Sequence, residues 1–344
     1  MTVTISEQHE GRILRSYLKL TLGLSTAVLA QLKAREDGIL VNGKRVTVRY
    51  ILHTGDVLTI ADQDTSETAT ERVIPTDLPL HILYENDYVI ALAKPADMPT
   101  HPSHGHLCDT LANALAFRYQ TENEPFVFRP LGRLDRNTSG VVVSAKTRAA
   151  SGLLFQALQK GLVRKRYLAI VVGEMTVDGE EHILHAPICQ PDGTGIRRTV
   201  ATYDNPAASD AVTRYRVLAA TGGLSLVLCE PLTGRTHQLR VHLSYMGYPI
   251  LGDEIYGTPS KQIERQALHA TSLSFPLPFK ADLRATPSEM SAETPMNLPT
   301  PDGYLHTFAP LPPDIAAVVQ AHFPSWANTE TLLAALAVFG SISP

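Results

Sequence analysis

Between Arg129 and Arg166 the chain carries nine Lys/Arg residues, at 129, 133, 136, 146, 148, 160, 164, 165 and 166, and a single acid, Asp135. A carboxylate among cations can do two things at once. Nearby positive charge favours the ionised, nucleophilic or basic form of a carboxyl group, and the same cations attract phosphate. The turn-forming cluster Asn137-Thr138-Ser139-Gly140 and the strand-like run from Gly140 to Ala145 predict that Asp135 sits in a loop at a strand's mouth, where a rigid scaffold presents reactive groups. A surface cluster of Arg/Asp ion pairs would use the same residues. Taken alone, the segment leaves both readings open.

Other chemistries find less support. Cys108, Cys189 and Cys229 lie forty or more positions apart, matching neither a disulfide framework nor paired metal ligands. His101, His104 and His106 fall in a Pro/Gly-rich loop, and that spacing by itself is weak for a metal. No glycine-rich phosphate loop occurs, so neither a metal nor a cofactor is expected. The composition, 44% hydrophobic and 19% charged, is that of a globular protein. The net charge of −4 excludes a uniformly basic binder, but basic residues concentrated on one track still suit nucleic acid. No run approaches the roughly 18 apolar residues of a membrane span, and MTVTISEQHEGRIL lacks the pattern of a secretory signal, so the cytoplasm is the expected location, with a monomer taken by default.

The elements that must position Asp135 fall into several stretches. Residues 1–61 read as a small separate unit. Arg12 to Leu20 and Leu24 to Leu29 predict two short helices, the second capped by Ser25. Asn42-Gly43 predicts a hairpin turn, and Gly55-Asp56 a turn into a last strand. This order resembles the S4 RNA-binding domain, which implies RNA contacts from Arg12, Lys44 and Arg45. Residues 62–79, acidic and poor in large apolar side chains, read as a linker. The main body, 80–323, mixes strand-like runs (Tyr88 to Ala93, Tyr167 to Val172, Leu224 to Cys229) with helical ones (Thr110 to Tyr119, Ala149 to Lys160, His237 to Met246). Because strand and helix do not alternate regularly, an α+β fold with mixed, mainly antiparallel pairing is expected. Residues 281–304 read as an irregular excursion, and 324–344 as a helical tail whose apolar stripe faces the core.

Arg133-Leu134-Asp135, Thr138-Ser139-Gly140 and Ala145-Lys146-Thr147 together resemble the signature "RLD-x-x-TSG…AKT" of the RluA-type pseudouridine synthases. Four more blocks agree in order: Tyr84 to Ile90, Lys94-Pro95-Ala96-Asp97-Met98, Lys165-Arg166-Tyr167 to Gly173, and Leu232 to His242, containing Thr233-Gly234-Arg235-Thr236-His237-Gln238-Leu239-Arg240. Arg265 to Ala270 completes the series, so the resemblance covers about Leu80 to Phe323. Three positions depart from the pattern: Gly132 where His or Asn is common, Asn137 where an acid is frequent, and Asp97 where Gly is usual.

The resemblance implies a pseudouridine synthase fold with a catalytic cleft, and an isomerase acting on uridines of structured RNA. Asp135 would be the catalytic carboxylate, attacking the base or assisting its departure from C1′. Tyr167 would stack on the flipped base. Arg240 would pair with Asp135, with Arg235 nearby as a phosphate or support contact. Arg133, Arg136, Lys146 and Lys165 would extend the RNA contacts. The chemistry agrees, because the isomerisation breaks one bond, turns the base and closes another, with no oxidation and no external reactant. Large-subunit ribosomal RNA is the preferred substrate and transfer RNA the alternative. A ribosome assembly factor without catalysis ranks below both, since Asp135, Tyr167 and Arg240 are all present. A hydrolase would need a second catalytic carboxylate or a metal near the motif.

Overall fold

The computed structural model describes residues 2–22, 24, 26–61, 73–124, 126–191, 195–278, 297, 299–300 and 303–339. The predicted Ser25 cap, most of the linker and most of the 281–304 excursion lie outside the described residues.

Near the N-terminus, strands β1 (Thr2–Thr4), β2 (Ile39–Val41), β3 (Lys44–Arg45) and β4 (Val57–Ile60) form an antiparallel sheet in the order β1-β4-β2-β3. Asn42 and Gly43 link β2 to β3 with φ of 51 and 74. Both residues of such a two-residue turn must be left-handed, which is why Asn-Gly is the local signal for it. Helix α1 (Leu14–Ser16) runs directly into a wider π-type turn (Tyr17–Thr21), and α2 follows (Thr26–Ala34). Leu14, Leu18, Leu29 and Leu32 pack on Ile39, Val41 and Leu58 to give this sheet its own core.

The second sheet contains β5 (Ile82–Glu85), β6 (Val89–Lys94), β7 (Arg129–Pro130), β8 (Ser139–Ala145), β9 (Arg164–Val172) and β10 (His182–His185). After a small ladder of β11 (Ile188–Cys189) with β12 (Thr199–Val200), the sheet gains β13 (Val212–Thr221), β14 (Leu224–Pro231), β15 (Leu268–Pro276) and β16 (Tyr304–Phe308). Its ten strands run β10-β13-β14-β9-β15-β8-β6-β5, with β16 beside β15 and β7 beside β8. Every pairing is antiparallel except β15 with β8. The fold is therefore α+β with a mixed, mainly antiparallel sheet. Strand β16 begins at Tyr304, the last residue of the stretch 281–304 whose composition reads as irregular.

Helices cover the faces of this sheet. Helix α3 (Leu111–Thr121) begins at a capping box in which Thr110 and Asn113 satisfy each other's backbone N–H groups. It packs Leu111, Leu115 and Tyr119 against Leu92 and Val142. Helix α4 (Arg148–Gln159) is capped by Thr147 and lays Ala150 and Leu154 on Val141, Val143 and Phe275. The N-terminal sheet rests on α4: Ala149 joins its core, and Gln156 donates to the Lys19 carbonyl at 3.2 Å. Helices α5 (Gln238–Tyr245), α6 (Pro313–His322) and α7 (Thr329–Val338) share one core with β9 and β14, through Leu239, Val319, Leu336, Ile170 and Leu226. No helix among the described residues is long and apolar enough to cross a membrane.

The junction of β8 with β15 sets where Asp135 stands. This parallel contact is short, His269 opposite Ser139 and Ala270 opposite Gly140, after which β16 takes the place of β8. Gly140 has φ of 117, and a Cβ there would lie 2.2 Å from the Ala270 carbonyl oxygen. Only glycine lets the two backbones meet. The loop carrying Asp135 is thereby anchored to the centre of the sheet.

Candidate active site

Almost every residue of the segment 134–139 is tied down. Thr100 Oγ donates to the Leu134 carbonyl at 3.0 Å and accepts the Leu134 N–H at 3.1 Å. Lys94 Nζ donates to the carbonyls of Pro95 (2.8 Å), Met98 (2.7 Å) and Arg136 (3.0 Å). Arg265 donates to the Asn137 carbonyl at 2.9 Å, and Gln266 to Thr138 Oγ at 3.3 Å. Ser139 Oγ bonds His269 Nδ1 at 2.9 Å. Each such bond contributes only about 1 kcal/mol, but their number leaves the loop a single conformation. Lys94 is buried, and burial followed by the charge of Arg265 brings its pKa down to about 7.

Asp135 opens onto a cleft of about 450 Å³ whose lining includes His101, Arg133, Arg136, His237 and Arg240. Its side chain keeps 29% exposure. Arg240 Nη1 donates to Asp135 Oδ2 at 3.3 Å, while its Nε and Nη2 grip Asp253 at 2.7 and 2.8 Å. Burial works to raise the Asp253 carboxyl, but the guanidinium outweighs it, and the pKa lies below the ordinary value. Asp253 Oδ1 also accepts the N–H groups of Ile255 and Tyr256. Such bidentate, charge-assisted pairing fixes the Arg240 fork before anything binds. His237 Nε2 lies 3.9 Å from the same Asp135 oxygen.

Tyr167 lies on β9 and lines a narrower slot with Gly132, Lys165 and the inner face of β8; Arg133 and Leu134 line both slot and cleft. Burial first, and then the Asp135 carboxylate, push the Tyr167 phenol above its ordinary range. Tyr167, Asp135 and Arg240 are thus brought together. Lys165 shares the slot, and burial pushes its ammonium down. Arg133 and Arg136 are exposed on the cleft.

Other residues singled out by sequence lie elsewhere. Lys146 follows β8 at its far end and pairs with Glu85 at 2.9 Å, so its ammonium is spent on a structural partner. Arg235 is exposed, outside the cleft lining, with its Nε on the Asp210 carbonyl at 2.7 Å. Arg12, Lys44 and Arg45 are exposed on the N-terminal unit. Among the histidine-loop residues, His101 packs against Phe128 and His106 bonds Asp109 at 2.6 Å.

Sequence reasoning passed over Asp253, Tyr256 and the anchoring roles of Thr100 and Arg265. For the first two, the one legible hint was an acid and an aromatic three positions apart between Gly252 and Gly257. It also passed over Glu254 and Glu264, exposed carboxylates on the cleft. The arrangement as a whole offers one oriented carboxylate, a cationic wall and an aromatic face, which suits attack on a nucleoside drawn out of an RNA strand.

Comparison with known proteins agrees. A family model for RNA pseudouridylate synthases matches residues 88–245. The protein named "Uncharacterized RNA pseudouridine synthase YjbO" from Bacillus subtilis is 38% identical over 254 residues, covering 74% of this chain and 87% of its own. The ribosomal large subunit pseudouridine synthase D of Vibrio cholerae is 36% identical over 262 residues, covering 72% and 78%. Among solved structures, human RNA pseudouridylate synthase domain containing 1 aligns with a TM-score of 0.51 at 26% identity, covering 77% of this chain and 97% of that one. The chain belongs to the RNA pseudouridine synthases, in their RluA-type branch. It is accordingly an isomerase acting on RNA.

Proposed function

We propose that this isomerase converts selected uridines of large-subunit ribosomal RNA to pseudouridine, with Asp135 as the catalytic carboxylate. The reading is carried by one observation: a part-exposed carboxylate on a wide cleft, held by Arg240 through one oxygen and mounted on a loop without slack. In the reaction the N1–C1′ bond breaks, the uracil turns over and a C5–C1′ bond forms. The proton on C5 is lost and N1 gains one. Asp135 either adds to the base or assists its departure.

Tyr167 is the surface on which the everted base stacks, since a phenol offers a π face to any pyrimidine. Arg133 and Lys165 take flanking phosphates, Arg136 stands at the rim held back by Asp97, and Arg235 lies further out, with Arg12, Lys44 and Arg45 of an S4-like front domain continuing the track. Lys146 is left out of it, because Glu85 already holds its charge. Ribosomal RNA is preferred because a relative of this size and identity is a large-subunit enzyme.

The test is release of tritium from C5 of uridine in ribosomal RNA lacking the modification. The wild-type protein should release it, and Asp135→Asn should not. Release from transfer RNA alone would overturn the substrate, and full activity of Asp135→Asn would overturn the mechanism.

A further inference from the structure

Beside Arg240, a histidine in an unusual setting faces the Asp135 carboxylate. His237 is the residue before helix α5 and has φ of 58, left-handed for a side chain other than glycine. Non-glycine residues in that region cluster at functional sites. Its ring is largely buried, with 12% of the side chain exposed, and stands edge-on to Tyr256 at 5.6 Å.

The hydrogen bonds around it determine where its proton lies. The Tyr256 hydroxyl accepts the Arg198 N–H at 2.8 Å. Among the described residues its other partner is His237 Nδ1 at 2.9 Å. A phenol has a single proton to give, and here the available acceptor is Nδ1. With Nδ1 accepting, the proton of the neutral imidazole belongs to Nε2. That nitrogen is the one facing Asp135 Oδ2 at 3.9 Å. Burial, outweighing the opposing Asp135 carboxylate, lowers the pKa of His237 and so favours the neutral ring.

We propose that His237 is a positioning residue for Asp135: its Nε2–H joins Arg240 on Oδ2 when RNA binds, leaving Oδ1 as the oxygen that meets the nucleoside. Oδ1 has no hydrogen-bond partner among the described residues, whereas both donors converge on Oδ2. The gap of 3.9 Å exceeds a hydrogen bond, and contacts of this kind tighten when substrate closes a site. Tyr256 contributes by fixing the tautomer, as second partners of functional histidines do. Its ring also carries the Arg240 guanidinium at 5.2 Å, so one tyrosine steadies both donors.

The inference rests on Asp135 being the catalytic carboxylate, and the experiment separates the two claims. His237→Gly is the clean variant, because glycine accepts the left-handed backbone without strain. It should lower kcat for RNA by about 10- to 100-fold, the cost of losing a partner that orients a reacting group, with KM within about twofold. Added imidazole should restore part of kcat. Nitrogen NMR of 15N-histidine enzyme, with His237 assigned by difference, should show the Nε2–H tautomer, and Tyr256→Phe should remove that preference. If Asp135→Asn is inactive while His237→Gly keeps wild-type kcat, or if the Nδ1–H tautomer is found, this inference fails and the catalytic reading stands. If Asp135→Asn is active, the catalytic reading itself fails.

Discussion

Arg136, the cation next in sequence to Asp135, is paired with a different acid: its guanidinium lies 2.6 Å from the Asp97 carboxylate and 3.4 Å from the His106 ring. Asp97 holds φ of 61, a left-handed backbone that glycine adopts most easily and that aspartate is among the few other residues to tolerate. The departure from pattern thus has a consequence at the cleft. It holds a positive charge at the rim.

Replacing Asp97 with glycine should release Arg136 to the RNA. Because the pair is exposed, with side chains 75% and 49% accessible, stability should hardly change. KM for RNA should fall, and its dependence on salt should steepen by roughly one phosphate's worth, a slope change of about 0.7 to 0.9. Kinetics across a salt series would show this, and an unchanged slope would mean that Arg136 does not reach phosphate.

Lys165 projects into the slot beside Tyr167 with no hydrogen bond or ion pair among the described residues, and burial lowers its pKa. An uncompensated ammonium costs stability, so Lys165→Met should raise the denaturation midpoint while weakening RNA binding about tenfold, the effect of one lost charge-assisted contact. Such opposed effects mark a residue kept for its ligand. Lower stability together with unchanged RNA affinity would refute the assignment.

At the β8/β15 junction, Gly140→Ala would drive a methyl against backbone that cannot move aside. The variant should lose about 3 kcal/mol or more in urea unfolding, with activity falling alongside, since the 134–139 loop hangs from that point. Wild-type stability would show that the strands can separate without cost.

His269 gives a pH signature. Its ring is buried, receiving Ser139 Oγ–H at Nδ1 and donating from Nε2 to the Ala309 carbonyl, and burial first of all brings its pKa to about 4. The folded state therefore binds fewer protons than the unfolded chain between about pH 4 and the unfolded value near 6.5. Stability from this group is complete above that upper value and is lost as pH falls through the window, by about 2 kcal/mol between pH 7 and pH 5. His269→Gln should flatten that part of the stability profile. An unchanged profile in the variant would show that other groups produce it.

Much of this protein was legible in the chain itself. Local signals, such as Asn42-Gly43 at a hairpin, the helical run from Thr110 to Tyr119 and the strand-like run from Gly140 to Ala145, report the conformation of a few adjacent residues, and they suffice for an α+β assignment. The lone acid Asp135 among cations, with the ordered motifs around it, suffices for the family.

What the chain could not disclose was which charges share space. Arg133 and Lys146 are near neighbours in sequence, yet the seven extended residues of β8 separate them by roughly 20 Å, at about 3.3 Å per residue. One lines the cleft and the other serves Glu85. Conversely Arg240, itself held by Asp253, and His237 meet Asp135 from more than a hundred positions away, because β15 is inserted between β8 and β9 and α5 packs over the far half of the same sheet. Local propensity is set by neighbours along the backbone. Electrostatic partnership is set by long-range strand pairing, and only the folded sheet could decide which cation faces Asp135 and which has its charge spent elsewhere.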